Sequence, residues 1–154
     1  MAVVTLTKLE VAVSQLSQAI RLFLEGDYLS SLTLSGAAEE ILGALCERAG
    51  KPVSIEKIIA FHWEETDSAL SDKERRNTLL QVLNRARNAV KHANDPAETH
   101  FIVEQDFPLQ MIMRAMPMAR SLGLAPSGES EMVRWIKNHP EATGGNDQPK
   151  SKGP

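Results

Sequence analysis

Arg87-Asn88-Ala89-Val90-Lys91-His92 brings an arginine, an amide and an imidazole within about one and a half helical turns. Arginine clamps phosphate oxygens with a planar fork of donors, and histidine exchanges protons near neutral pH. Together they can cut RNA without a metal. The same residues can equally be the solvated polar face of a bundle helix, and both readings stay open at this level. The six residues close a segment, Ser71 to Asp95, that reads as one amphipathic helix. On an ideal helix Arg87 and His92 lie about 140° apart, with Asn88 between them and one turn before His92. All four polar residues, Arg87, Asn88, Lys91 and His92, can then line one solvent-facing surface. Arg87 and His92 converge on a single phosphate if the helix loosens near its end or the arginine arm swings across. His92 near a helix C-terminus is biased toward imidazolium by the dipole, the form a general acid needs. Lys73, Arg75, Arg76, Arg85, Arg87 and Lys91 make this the most basic segment of the chain.

The elements that would position these residues are helical. In Leu6–Leu24 the apolar residues Leu6, Leu9, Val13, Leu16, Ile20, Phe23 and Leu24 recur at three and four, one buried stripe. Gly26 stops that helix and Asp27 suits the N-cap of a second, through Tyr28, Leu32, Ala37, Ala38, Ile41, Leu42 and Leu45. So short a link favours antiparallel neighbours. Ser54 opens a shorter third helix. Ser71-Asp72-Lys73-Glu74 is a capping box that opens the fourth, whose buried side is read as Leu79, Leu80, Val82, Leu83, Ala86, Ala89 and Val90. Asn94-Asp95-Pro96 closes it, and His100 to Phe107 is irregular or briefly extended. A fifth helix is expected from about Pro108 to Leu122 and a short sixth over Ser127–Asn138. No stretch sustains period-two alternation, so the fold expected is all-α: an antiparallel up-and-down bundle of four main helices with one or two appended. Residues 1–140 form its domain, and Glu141 to Pro154, without an apolar stripe, reads as a disordered tail.

Composition narrows the function. The chain has 154 residues, 42% apolar and 5% aromatic, with a net charge of −3. It is no polycation, so any nucleic-acid contact must be a local patch. The single cysteine, Cys46, excludes an internal disulfide and a Cys-rich zinc site. It falls on an apolar helix face, as a buried small hydrophobe. His62, His92, His100 and His139 share no zinc-ligand spacing, and no Gly-rich phosphate loop or Gly-x-Ser-x-Gly elbow occurs. Neither cofactor nor metal is expected. No apolar run is long enough to cross a membrane, and Met1–Thr7 lacks the features of a signal peptide, so a cytoplasmic location is expected, with no membrane partner.

The run Arg87 to His92 resembles the R-x(4–6)-H motif of the HEPN superfamily, including the polar residue directly after the arginine. Leu32-Thr33-Leu34-Ser35-Gly36-Ala37-Ala38-Glu39-Glu40-Ile41-Leu42 is similar to the second-helix segment of HEPN-like proteins. The resemblance spans about Leu6 to Leu122. It implies a helical bundle that dimerises so that paired motifs form a cleft. It also implies either a metal-independent RNase of toxin–antitoxin or defence type, or a relative that has lost cleavage and only binds. Carried over, Arg87 stabilises the phosphate, His92 is the acid/base and Asn88 orients it, with Arg85, Lys91, Arg75 and Arg76 as RNA-binding cations. Glu39 or Glu40 could reach Arg87 or His92 from the second helix. The implied partners are a second copy, RNA, and an antitoxin or nucleotidyltransferase-type protein. The alternatives are an inactive HEPN-like module that binds a nucleotide or a protein, and a plain interaction bundle.

Overall fold

The computed structural model describes residues 1–144. Six α-helices and two short 3-10 turns follow one another, and no strand occurs among the described residues. Helix α1, Lys8–Glu25, starts on a capping box: Thr7 Oγ1 accepts from the Glu10 amide at 3.1 Å, and the Thr7 amide donates to Glu10 Oε2 at 2.7 Å. Leu6 therefore precedes the helix and is exposed rather than part of its stripe. Gly26 ends α1 in the left-handed region, φ +87°, where a β-carbon is disfavoured. Asp27 then caps α2, Tyr28–Arg48, by accepting from the Ser30 amide at 3.0 Å. The tight link folds α2 back on α1. Ser31 Oγ donates to the Ala19 carbonyl at 2.8 Å, and the Phe23 and Tyr28 rings lie 5.5 Å apart.

Helix α3, Ser54–Phe61, leads into a 3-10 turn at Trp63–Glu65, and Ser54 Oγ donates to the Arg114 carbonyl at 2.7 Å. Helices α4 and α5 span Asp72–Ala89 and Asp106–Ser121, and α6 spans Glu129–Asn138. The core is built by α1, α2 and α5: Leu16, Ile20, Leu42, Cys46, Leu109, Ile112, Ala115 and Met118 are buried together, with Met132 of α6. Helices α2 and α5 run parallel, because their contacts rise in step. Tyr28 meets Gln105, Glu39 meets Arg114, and Cys46 meets Met118 and Ser121. Helix α6 closes the open end of this trio, with Trp135 edge-on to Phe23 at 4.8 Å.

Helix α4 departs from expectation in two ways. Its one buried residue is Asn84; Val82 is 69% exposed and Leu79, Leu80, Leu83, Ala86 and Ala89 are only half-buried. It therefore lies on the outside of the bundle instead of being one of four equal walls. It also ends at Ala89, not near Asp95. Residues 91–100 are all exposed, so no apolar contact supports a further turn, and helices depend on such packing more than on propensity. At the other end of the chain, Pro140–Thr143 forms a 3-10 turn and Ala142 packs on the core. The expected disordered tail thus fails at its first residues, and 145–154 lie outside those described. Among the described residues no helix is long and apolar enough to cross a membrane.

Candidate functional site

Arg87 is turned into the bundle. Gly36 on α2 provides the notch: a β-carbon there would come within 2.6 Å of Arg87 Cγ. Through that notch Arg87 Nη1 donates to Glu39 Oε2 at 2.9 Å. The other oxygen, Glu39 Oε1, accepts from Arg114 Nη2 at 2.6 Å and from Arg114 Nε at 3.1 Å. Arg114 also donates to the Leu83 carbonyl and to Asn84 Oδ1, each at 3.1 Å. Glu39 is 3% exposed and Arg114 4%. One carboxylate thus binds two guanidinium groups, which leaves a surplus positive charge, and Arg87 Nε has no partner. This network clips the C-terminal half of α4 to α2 and α5 where apolar packing is thin. Of its members, Arg114 and Asn84 escaped the sequence reading. The signal was there: Arg114 is a lone charge inside the apolar run Met111 to Met116, and a buried charge requires a partner.

Lys91 continues along the same side, its Nζ donating to Glu40 Oε2 at 3.1 Å. Glu39 and Glu40 therefore reach Arg87 and Lys91, and neither pairs with His92. The Lys91 hydrogen bond holds the Glu40 carboxyl below the ordinary glutamate range against the opposing effect of burial, with the charges of Arg87 and Lys91 adding to it. Glu56 is lowered likewise by its hydrogen bonds from Arg76. The caps Glu10, Asp27 and Glu74 are lowered by hydrogen bonds to Thr7, Ser30 and Ser71. A carboxyl depressed on folding contributes stability that is present above its unfolded value, about 4, and lost as pH falls through its folded value. The melting temperature should therefore hold level from pH 7 to 5 and drop below about pH 4. Circular dichroism melts across that range check it. Unchanged melting down to pH 2.5, or a fall already complete at pH 6, would refute it.

Asn88 and His92 open to the opposite side. They line an open groove of about 630 Å³ together with Gln81, Arg85, Asn94, Asp95, Glu98 and His100. The expected single surface carrying Arg87, Asn88, Lys91 and His92 is thus divided: Arg87 lines a different hollow, beside Glu39, Glu40 and Glu47. Successive helix residues step by about 100°, and Arg87 is drawn past Gly36 toward Glu39 while Asn88 faces the groove. Asp95 makes a tight turn, its Oδ1 accepting from the Ala97 amide at 2.9 Å and its carbonyl from the Glu98 amide at 3.1 Å. That turn brings the chain back along α4 and delivers His100 to the groove. In the sequence His100 stands out only as a possible metal ligand, and its place beside His92 depends on this turn. Among the described residues no cluster of metal-ligating side chains occurs.

The cations expected to bind RNA differ in availability. Arg75 donates to Thr66 Oγ1 at 2.6 Å and to the Trp63 carbonyl at 2.8 Å, with its guanidinium 4.4 Å above the Trp63 ring. Arg76 holds both oxygens of Glu56. Both pin α4 to the segment before it. Arg85 is exposed, lines the groove, and forms no ion pair among the described residues. Comparison with protein-family models, curated proteins and solved structures gives no match.

Proposed function

We propose that this chain is a HEPN-like RNA-binding protein that cleaves RNA without a metal ion, at the groove beside the end of α4. The observation that carries the proposal is the convergence of Arg85, Asn88 and His92 on one open groove. The reaction is attack of a 2′-hydroxyl on the adjacent phosphorus, leaving a cyclic phosphate and a 5′-hydroxyl. His92 moves a proton, Asn88 orients it, and a guanidinium stabilises the charge that shifts onto the phosphate oxygens. Arg85, exposed and lining the groove, is assigned that last role. Arg87 instead holds α4 in position through Glu39. A homodimer belongs to the proposal, since a second copy would bring further cations to a groove that has one unpaired arginine of its own. Val82 and Ile102, 69% and 78% exposed, share a neighbouring hollow with Arg85 and His100 and offer an apolar surface for a second copy to cover.

The test is a cleavage assay on single-stranded and structured RNA with the motif arginines compared. Arg85→Ala should slow cleavage by about 10²-fold with little change in melting temperature. Arg87→Ala should lower the melting temperature by several degrees, because it leaves a buried carboxylate with one partner fewer. EDTA should have no effect. Full activity in Arg85→Ala, or activity abolished by EDTA, would reject this assignment.

A second reading is a non-cleaving module that binds a protein such as an antitoxin or a nucleotidyltransferase-type partner. It is favoured by the pairing of Arg75, Arg76, Arg87 and Lys91 within the chain, which removes four cations from any RNA surface. Absence of cleavage of any RNA by the wild-type protein would decide for it.

A further inference from the structure

We infer that His100 is the second proton carrier of the groove, so that one copy of the chain holds both an acid and a base. The inference rests on the RNA-cleaving reading above. Transphosphorylation moves two protons. One leaves the 2′-hydroxyl as its oxygen bonds to phosphorus. The other joins the 5′-oxygen as the P–O5′ bond breaks and that oxygen takes the electron pair. One imidazole cannot be neutral and protonated at once, so a metal-free site needs a second group for the second proton. His92 and His100 line the same groove, and Arg85 lines it with them. Their placement follows from the fold: the chain just past the end of α4 carries one, and the Asp95 turn returns the other. His92 lies three residues beyond α4 on the side of the groove that Asn88 and Arg85 also line, and takes the role of acid to the leaving 5′-oxygen. His100 lies on the returning strand of chain, its Nδ1 2.8 Å from Thr99 Oγ1, and takes the 2′-proton as base. The charged groups facing it are Arg85 from α4 and Glu98 and Glu104 from its own segment, with Asp95 at the turn. Each turnover leaves the two histidines with exchanged protonation, which water restores.

The deciding experiment uses the full chain and two short RNAs, identical except that one carries sulfur in place of the bridging 5′-oxygen at the scissile linkage. A thiolate leaves without needing a proton. His100→Ala should slow cleavage of both RNAs by about 10²–10⁴-fold and abolish the rise in rate with pH on the acid side of the profile. His92→Ala should be slow on the oxygen substrate and close to wild type on the sulfur one. Both residues are exposed, and unchanged circular dichroism of each variant will show that folding is intact. Wild-type rates in His100→Ala, or rescue of that variant by sulfur, would overturn the role of His100 while leaving the cleaving reading standing. A wild-type protein that cleaves neither RNA would overturn that reading, and this inference with it.

Discussion

On the proposed RNA-cleaving function, cleavage by His92→Ala protein is expected to fall by about 10²–10⁴-fold, with RNA binding nearly intact. His92 is exposed, three residues past the end of α4, and makes no hydrogen bond among the described residues. Its removal should therefore change stability by less than about 0.5 kcal/mol. The loss should appear in kcat, because a proton is transferred only as the reaction proceeds, whereas phosphate contacts act on bound and reacting states alike. Asn88→Ala should be milder, because Asn88 lines the groove but transfers no proton. Single-turnover cleavage at saturating protein, with binding followed by fluorescence anisotropy, separates the two effects. Activity that survives His92→Ala would remove this residue from the chemistry.

The helical periodicity of Leu9, Val13, Leu16, Ile20 and Phe23 specified α1, and Asp27 and Ser71 specified where α2 and α4 begin. These signals are local: a side chain capping an amide within three residues depends on nothing distant. The early end of α4 was not legible. The polar and apolar pattern through Val90 still permits helix, and what stops it is the lack of any surface to pack on beyond Ala89. The direction of Arg87 was hidden for a related reason. Its position on an ideal wheel leaves it on a flank, and only the Gly36 notch opposite it draws the side chain inward. His100 depended on a turn at Asp95 whose return path cannot be deduced from composition. The Glu39–Arg114 link joins residues on helices that are parallel rather than sequence neighbours. Arg114 could still have been flagged as a charge in an apolar run, though without its partner.

Glu39→Ala should destabilise the fold by about 3–5 kcal/mol, the cost of leaving a buried charge without its counter-ion. Among the described residues Glu39 is the sole carboxylate bonded to two arginines, whose side chains are 13% and 5% exposed. Removing it strands a positive charge on α5, within the central trio of helices, so the loss is global rather than confined to α4. A total stability of about 5–15 kcal/mol for a domain makes this about a fifth of it or more. Glu39→Gln should be nearly as costly. It restores one acceptor, but its amide nitrogen presents donors to guanidinium donors. Helix α4 should also loosen first, since its one buried residue, Asn84, bonds to the same Arg114. Its amides should exchange with solvent well before those of α1 and α2. Urea unfolding followed by circular dichroism gives the midpoint, and hydrogen exchange gives the order. A midpoint shift worth under about 1 kcal/mol would mean that the network is dispensable to folding. RNA cleavage should fall along with stability even though Glu39 does not line the groove, because Arg85 and Asn88 hold their places only as long as α4 stays clipped to α2.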